Sequence, residues 1–429
     1  MHEALEPLDD CLEMAVDAQY TQYIKQKIEQ AYQREAPPAD FPQLTDIPVS
    51  RYTSDPFWQA EQQHLWPKSW LFAAHAHELP NVGSSKLWQD GGMPIVMVKD
   101  EQQKIRAFYN TCQHRGGPLV VDEYSDNARL RCGYHGWTYN YDGELIGVPD
   151  RRDFVGLNLQ CHKLEELSCE QWGNWIFVNR DKNAQPLMEF MAPIEPELQQ
   201  FDLDNLQFYD KHSIHIAANW KACCDSFMET YHVRHIHPDT VDQLLDHKGT
   251  VISLLEQGHN KMYTPNRAGF IPPQDGFNDI ASVGELPRIS NLAYSLFPNM
   301  VIPLDAGGFP MLLFWPIDKS HTRMDVLWFA PTDGAHDASD QVWKNQQQKL
   351  PPQWLERLAL FDRVLEEDVQ FLPWQQQSME TGAIKGMPLS YLEQRIYHRN
   401  EAIDQTIGLD NIPEGMAVSP LLDGLIEKY

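Results

Sequence analysis

Apolar residues recur at three- and four-residue steps near the start of the chain. They are Leu8, Cys11, Leu12, Ala15, Tyr20, Tyr23, Ile24, Ile28, Ala31 and Tyr32. This spacing places them on one face of an amphipathic helix running from residue 8 to about residue 35. Pro37 and Pro38 follow, and proline cannot continue a helix because it lacks a backbone donor. The pattern predicts an N-terminal helical extension over residues 1–45.

From residue 46 to residue 182 the pattern changes to short apolar runs separated by turn residues. The runs cover residues 94–98, 105–109, 129–132, 137–141 and 175–179. Runs of this length between turn residues are typical of a small antiparallel β domain. Asp142 and Gly143 stand between two apolar runs, and this pair favours a tight turn. We therefore expect a β-hairpin at that point.

Residues 183–429 mix helical and strand periodicities and predict a second, larger domain. Residues 292–302, 309–315 and 323–330 are expected in a sheet, and residues 220–235 and 352–374 in helices. The chain shows no internal repeat. The expected fold class is α+β, with domain limits at 1–45, 46–182 and 183–429.

Composition narrows the class of partner. The chain has 429 residues and a formal net charge of -27, which would repel nucleic acid and anionic membranes. No apolar run is long enough to span a bilayer, and the first residues do not resemble a signal peptide. Seven cysteines without dense spacing are unlike a disulfide scaffold and suit a reducing compartment. These features favour a cytoplasmic protein without nucleic-acid or membrane partners.

Two segments of the β domain each combine a cysteine with a histidine. The first contains Cys112 and His114, and the second contains Cys132 and His135. Two thiolates and two imidazoles could close a structural zinc site. Zinc fingers, however, usually pair cysteine with cysteine and histidine with histidine. A 2Fe-2S cluster in which one iron takes both cysteines and the other both histidines fits the mixed loops better.

These segments, Cys-Gln-His-Arg-Gly and Cys-Gly-Tyr-His-Gly-Trp, resemble the Rieske motif of ring-hydroxylating non-haem iron oxygenases. The resemblance implies that Cys112, His114, Cys132 and His135 are the ligands of a Rieske 2Fe-2S cluster. Small residues beside them, among them Gly116 and Gly136, would let the loops close around the cluster.

A second group of candidate ligands lies downstream, where His232 and His237 precede Pro238. On a regular helix, five steps of about 100° would separate these histidines by roughly 140°. Proline disfavours helical geometry at the residue before it, so the helix is expected to end or distort there and let the imidazoles converge. Glu229 lies three residues before His232 and should neighbour it on one helical face.

A third ligand is expected on the late helix. Its apolar stripe comprises Trp354, Leu358, Phe361, Leu365 and Leu372, and position 368 on the stripe is an aspartate. A carboxylate on a buried face is costly unless a cation or hydrogen bonds compensate it. His232, His237 and Asp368 therefore form a candidate 2-His-1-carboxylate site for Fe(II). Glu366 and Glu367 fall off the stripe, and His235 is interpreted as a supporting or structural residue.

The order Asn219-Trp220-Lys221, Glu229, His232, His237 and Asp368 also resembles the catalytic domain of these oxygenases. The resemblance implies a helix-grip fold, in which a curved antiparallel sheet wraps a long helix. It further implies a homotrimer, with or without a small β subunit, and electrons that come from NAD(P)H through a reductase or ferredoxin. In such a trimer Glu229 would bridge His232 and a cluster histidine, His135, across the subunit interface.

Glutamate at position 229 and the short acidic run at 366–368 resemble the choline- and carnitine-type monooxygenase branch. The expected reaction is hydroxylation or oxidative demethylation of a small organic substrate with O2. Three alternatives remain open from the sequence: cis-dihydroxylation of an aromatic ring in aromatic hydrocarbon catabolism, an electron-transfer protein without oxygenase chemistry, and a zinc hydrolase.

Overall fold

The computed structural model describes residues 18–267, 280, 282–304, 306–331 and 352–428. Contacts divide the chain into two compact units. The smaller unit is Trp66–Glu189, and the larger one combines the residues up to Leu65 with those from Phe190 onward. The limits predicted from the sequence, 46–182 and 183–429, stay a prediction. In the structure, residues 46–65 are grouped with the larger unit.

The longest helices of the described residues are α1, α10 and α11. In chain order the α-helices are α1 (Ala18–Gln33), α2 (Ser50–Thr53), α3 (Asp55–Ala60), α4 (Leu187–Met191), α5 (Glu195–Leu198), α6 (Trp220–Asp225), α7 (Val233–Ile236), α8 (Val241–Leu244), α9 (Leu286–Ile289), α10 (Pro352–Glu380) and α11 (Gln394–Ile407). Helix α1 buries Tyr20, Ile24 and Ile28 along one face, as the spacing predicts. The first part of that predicted helix, residues 8–17, lies outside the described residues. None of the helices in this part of the chain is long and apolar enough to cross a membrane.

The strands of the described residues range from pairs of residues to long strands such as β12 and β18. They are β1 (Ile47–Pro48), β2 (Leu71–His75), β3 (Ser84–Trp88), β4 (Ile95–Lys99), β5 (Ile105–Tyr109), β6 (Tyr124–Asp126), β7 (Leu130–Arg131), β8 (Thr138–Tyr139), β9 (Leu145–Gly147), β10 (Glu166–Trp172), β11 (Trp175–Asn179), β12 (Leu206–Ile216), β13 (Val251–Leu255), β14 (Asn260–Pro265), β15 (Ser290–Leu296), β16 (Met300–Leu304), β17 (Phe309–Asp318), β18 (His321–Pro331), β19 (Gly386–Met387) and β20 (Ile426–Glu427).

The smaller unit is an antiparallel β domain, as predicted. A seven-stranded sheet has the order β2-β11-β10-β5-β4-β3-β6, and a three-stranded sheet has the order β7-β8-β9. The core of this unit packs Val96, Val98 and Phe108 against Trp137 and Tyr139. Both cysteines of the Rieske-like motif lie in this core.

The predicted hairpin joins β8 to β9, but its turn is longer than two residues. The amide of Asn140 donates to the carbonyl of Glu144 at 3.0 Å, so the loop of the hairpin comprises the three residues 141–143. Gly143 has a positive φ of 81°, and a Cβ there would lie 2.7 Å from the Phe108 ring. Only glycine fits this position without strain.

The larger unit is built on an eight-stranded sheet of order β12-β18-β17-β16-β15-β14-β13-β20. Its pairs are antiparallel except β13 with β20, which is parallel, so the sheet is mixed rather than wholly antiparallel as expected. Leu365 and Leu372 of α10 pack in one core with Val326 and Trp328 of β18. The α+β fold class is thereby confirmed, and the buried stripe of α10 determines which of its polar residues face the core.

Candidate metal centres

The two cysteine loops of the smaller unit have the same backbone geometry. In each loop, the amide of the cysteine donates to the carbonyl five residues later at 2.9 Å, and the amide four residues later donates back to the cysteine carbonyl. That later residue is Gly116 in the first loop and Gly136 in the second, with φ of 75° and 73°. Because L side chains rarely adopt this conformation, glycine at these positions lets both loops close over the same point.

The loops bring two thiols and two imidazoles together. Cys112 and Cys132 are each 2% exposed, and the rings of His114 and His135 lie 4.6 Å apart. The Nδ1 atom of His114 is buried and has no hydrogen-bond partner in the described residues. A buried ring nitrogen without a partner beside two thiols is what a metal cluster would satisfy. The residues therefore fit a 2Fe-2S cluster.

Two aromatic side chains support this site, and sequence reasoning gave neither a role. Trp137 stacks on His114 with ring centres 4.8 Å apart and planes at 11°. The hydroxyl of Tyr139 lies 3.3 Å from Cys112 Sγ and also accepts the amide of Gln113 at 3.0 Å. Burial is the largest cause that raises the pKa of the Cys112 thiol. A cluster iron would replace the proton of that thiol.

The predicted helix over residues 220–235 is wrong, because the chain forms two short helices with an irregular segment between them. Asn219 caps the start of helix α6, since its side chain accepts a hydrogen bond from the amide of Lys221 at 3.0 Å, and the helix runs from Trp220 to Asp225. The carboxylate of Glu229 then accepts the backbone amides of Tyr231 and His232. In the segment between α6 and α7, a side-chain acceptor thereby takes the place of helical carbonyls for these two amides.

The histidine pair converges where the backbone was expected to distort. Helix α7 ends at Ile236, and His237 follows with φ −118° and ψ 43°. His237 Nε2 lies 3.1 Å from Asp368 Oδ1, and His232 Nε2 lies 3.5 Å from the same oxygen. One ligand atom from each of the three residues falls within 4.8 Å of the others. The structure thus brings together the three side chains proposed as iron ligands.

Each histidine is held from behind by a carboxylate. His232 Nδ1 lies 2.5 Å from Glu229 Oε1, and His237 Nδ1 lies 2.7 Å from Glu367 Oε2. A carboxylate that accepts the N–H of one ring nitrogen directs the lone pair of the other nitrogen outward, which is the arrangement found around metal-binding histidines. Both Nε2 atoms consequently face Asp368.

The electrostatics of the site favour a cation. Burial alone would lower the pKa of His232 and of His237, but the hydrogen bonds and charges of the surrounding carboxylates outweigh it and raise both pKa values. Asp368 is 5% exposed, so its carboxylate has little access to water. A divalent metal would satisfy the same carboxylates that now favour protonated imidazoles.

Glu367 is the residue of this site that sequence reasoning missed. It was set aside because it falls off the apolar stripe of α10, yet it accepts hydrogen bonds from His237 and from Thr240 Oγ1, the latter at 2.5 Å. Its position directly before Asp368 was the available signal. His235 is exposed and contacts Arg234 at 3.2 Å, so it lies outside the candidate site.

Two known protein families match separate parts of this chain. The Rieske [2Fe-2S] domain family matches residues 69–164, and the family of the ring hydroxylating alpha subunit catalytic domain matches residues 203–408. The chain belongs to the Rieske non-haem iron oxygenases. As an alpha subunit of that family it carries a catalytic domain, which argues against a plain electron-transfer protein.

Curated relatives of this oxygenase chain match over part of their length. The glycine betaine monooxygenase oxygenase subunit of Pseudomonas aeruginosa is 30% identical over 202 residues, which is 47% of this chain and 46% of that one. The carnitine monooxygenase oxygenase subunit of Escherichia coli is 27% identical over 200 residues, 46% of this chain and 54% of that one. The chain spans about half the length of the curated relatives it matches.

Solved structures show the same fold across most of the oxygenase chain. A quaternary ammonium Rieske monooxygenase in complex with L-carnitine has a TM-score of 0.67 at 20% identity, covering 88% of this chain and 99% of that one. Naphthalene 1,2-dioxygenase from Rhodococcus has a TM-score of 0.67 at 19% identity, covering 91% and 99%. Because both branches share the fold to the same degree, the fold does not separate their chemistries.

Proposed function

We propose that this chain is the oxygenase component of a system that uses O2 and delivered electrons to hydroxylate or oxidatively demethylate a small organic substrate. The convergence of His232, His237 and Asp368 carries the proposal. Two neutral imidazoles and one carboxylate leave coordination positions of Fe(II) open for O2. The same chain holds a Rieske domain able to supply electrons.

Four residues of the smaller unit would hold the cluster, with Cys112 and Cys132 on one iron and His114 and His135 on the other. A 2Fe-2S cluster with two histidine ligands accepts one electron at a potential above that of all-cysteine clusters. The burial of both thiols keeps water from the sulfur atoms. Trp137, stacked on His114, fixes the plane of that ring.

Glu229 would act on the iron site without binding the metal. Its carboxylate fixes the ring of His232 and the backbone of the segment that carries it. We propose that in a homotrimer, with or without a small β subunit, Glu229 also accepts a hydrogen bond from His135 of the partner subunit. It would then connect the cluster to the iron across the interface.

The substrate class is proposed from the relatives. Glycine betaine and carnitine monooxygenase subunits match this chain, which supports oxidative demethylation of an amine rather than attack on an aromatic ring. We expect the electrons to come from NAD(P)H through a separate reductase or ferredoxin.

The test is made on purified, iron-replete protein. A red-brown colour, the electron paramagnetic resonance signal of a reduced Rieske cluster, and reductase-dependent O2 uptake with an amine substrate are expected. Labelled oxygen would distinguish single incorporation, with loss of formaldehyde, from incorporation of both atoms into a cis-diol. Colourless protein that contains only zinc would refute the proposal.

A further inference from the structure

Within the described residues, four basic side chains on or beside α11 are buried, and one of the four makes no ion pair there. The other three are ion-paired: Arg51 with Asp404 at 2.6 Å, Lys221 with Glu61 at 2.7 Å, and Arg399 with Asp225. Arg395 is 0% exposed and makes no ion pair within the described residues. A buried charge without a counter-charge is costly, so the position calls for an anion.

The hydrogen bonds of Arg395 are too few for a guanidinium. It donates to Asn260 Oδ1 at 2.5 Å and to the carbonyl of Ala293 at 3.2 Å, and its third acceptor is the sulfur of Met262 at 3.6 Å. A guanidinium has five N–H groups, and a thioether is a weak acceptor. Burial lowers the pKa of Arg395 to about 9. The arm toward Met262 is therefore available to a stronger acceptor.

Asn260 adds a second donor to the same place. Its Oδ1 accepts from Arg395, which fixes the orientation of the amide. Its Nδ2 is buried and has no acceptor in the part of the chain that the structure describes. A buried amide nitrogen without a partner is rare in native proteins. Among the described residues, Asn260 Nδ2 thus lacks an acceptor, and the neighbouring Arg395 lacks a counter-charge and has only a thioether as its third acceptor.

These donors lie on the sheet face that carries the iron-site segment. Asn260 of β14 is paired with Ser295 of β15, and residues opposite each other in a ladder point to the same face. The hydroxyl of Ser295 contacts Met228 Sδ at 4.0 Å, and Met228 directly precedes Glu229. The buried cation and the segment that holds His232 therefore share one side of the sheet.

We propose that Arg395 and Asn260 bind the carboxylate of the substrate, which makes that substrate a small organic acid or a zwitterion. The inference rests on the proposed function and narrows its substrate class. A carboxylate supplies the missing charge, accepts two guanidinium N–H groups, and satisfies Nδ2 of Asn260. Met262 fills the space beside the guanidinium, and its unbranched side chain can move aside without losing a strong hydrogen bond.

The substitution Asn260→Asp tests the proposal, because it places a carboxylate of the same shape beside Arg395. Binding is measured by calorimetry on the anaerobic iron-replete protein, with two probe pairs: glycine betaine with choline, and benzoate with benzyl alcohol. For the native protein, we expect that at least one of the two carboxylates binds at least tenfold more tightly than the corresponding alcohol. In the variant this preference should vanish, while the affinity for the alcohol changes less than twofold.

Asn291→Asp, on the neighbouring strand β15, is the matched control and should keep the preference. Arg395→Gln removes the positive charge and should also abolish the preference for carboxylates. Circular dichroism would show that this variant is folded. Equal binding of carboxylates and alcohols by the native protein, or an unchanged preference in Asn260→Asp, would overturn the proposal. Because binding is measured without turnover, this inference can fail in an active oxygenase and can hold in a protein that fails the O2 assay.

Discussion

The two metal centres differ in how much of the chain is needed to build them. The proposed cluster ligands come from two loops of one β domain, and each loop closes on its own glycine, Gly116 or Gly136. The proposed iron ligands come from an irregular segment and a distant helix, and His237 and Asp368 are 131 positions apart. A site built from local turns can be predicted from the sequence. A site built from distant elements forms only when packing brings those elements together.

The difference extends to the residues that support each centre. Behind the cluster stand aromatic side chains, Trp137 and Tyr139. Behind the iron histidines stand carboxylates, Glu229 and Glu367. An aromatic support orients a ring and excludes water, while a carboxylate support also tunes the basicity of its histidine. Substitutions of the aromatic residues and of the carboxylates should therefore change different measured properties of the two sites.

The largest effect is expected from Asp368→Ala. Removal of the carboxylate leaves two histidines, too few to hold Fe(II), so turnover should fall by more than about 100-fold. Iron analysis should show loss of the mononuclear iron, while the signal of the reduced cluster stays unchanged. Loss of the cluster signal in this variant would show that the two centres are not independent.

Glu229→Gln should come next. The amide keeps the shape and a hydrogen bond to His232, so both metals should remain bound. Turnover should fall by roughly 10- to 100-fold, as is typical for residues that orient metal ligands. Rapid mixing of the reduced protein with substrate and O2 would place the loss at cluster reoxidation. Unchanged turnover would remove the proposed bridge.

Glu367→Gln sharpens the comparison of the two histidines. It weakens the acceptor of His237 Nδ1 and should reduce the affinity for Fe(II) by about tenfold, measured by competition with a chelator. Glu366→Gln, one residue earlier on the exposed face of α10, is the matched control. If both variants bind iron equally well, Glu367 has no supporting role.

The smallest effect is expected from Tyr139→Phe in the cluster shell. The hydroxyl lies 3.3 Å from Cys112 Sγ and can donate to the bound thiolate. Its loss should lower the reduction potential, because hydrogen bonds to the sulfurs stabilise the reduced cluster. About 1 kcal/mol of such stabilisation corresponds to roughly 40 mV for a one-electron couple. Protein-film voltammetry measures the shift, and a raised potential would contradict this role.

The periodicity of apolar residues predicted the correct secondary structure for the long elements. It did not predict where those elements end or are interrupted. The apolar stripe of α10 placed Asp368 on the buried face, as observed. The helix was nevertheless expected to stop at residue 374, and in the structure it continues past Pro373 to Glu380. In the irregular segment between α6 and α7, the side chain of Glu229 accepts the backbone amides of Tyr231 and His232, a contact that periodicity does not encode.

The sequence by itself determined the two ligand sets as candidates, because thiols, imidazoles and a buried-stripe carboxylate can be identified by residue type and spacing. Tertiary structure alone decided that Glu367 supports His237, and that Arg395 is buried without an ion pair among the described residues. Both are properties of side chains meeting across elements far apart in the chain. Which groups meet is fixed by packing, and the spacing of residues along one segment does not record it.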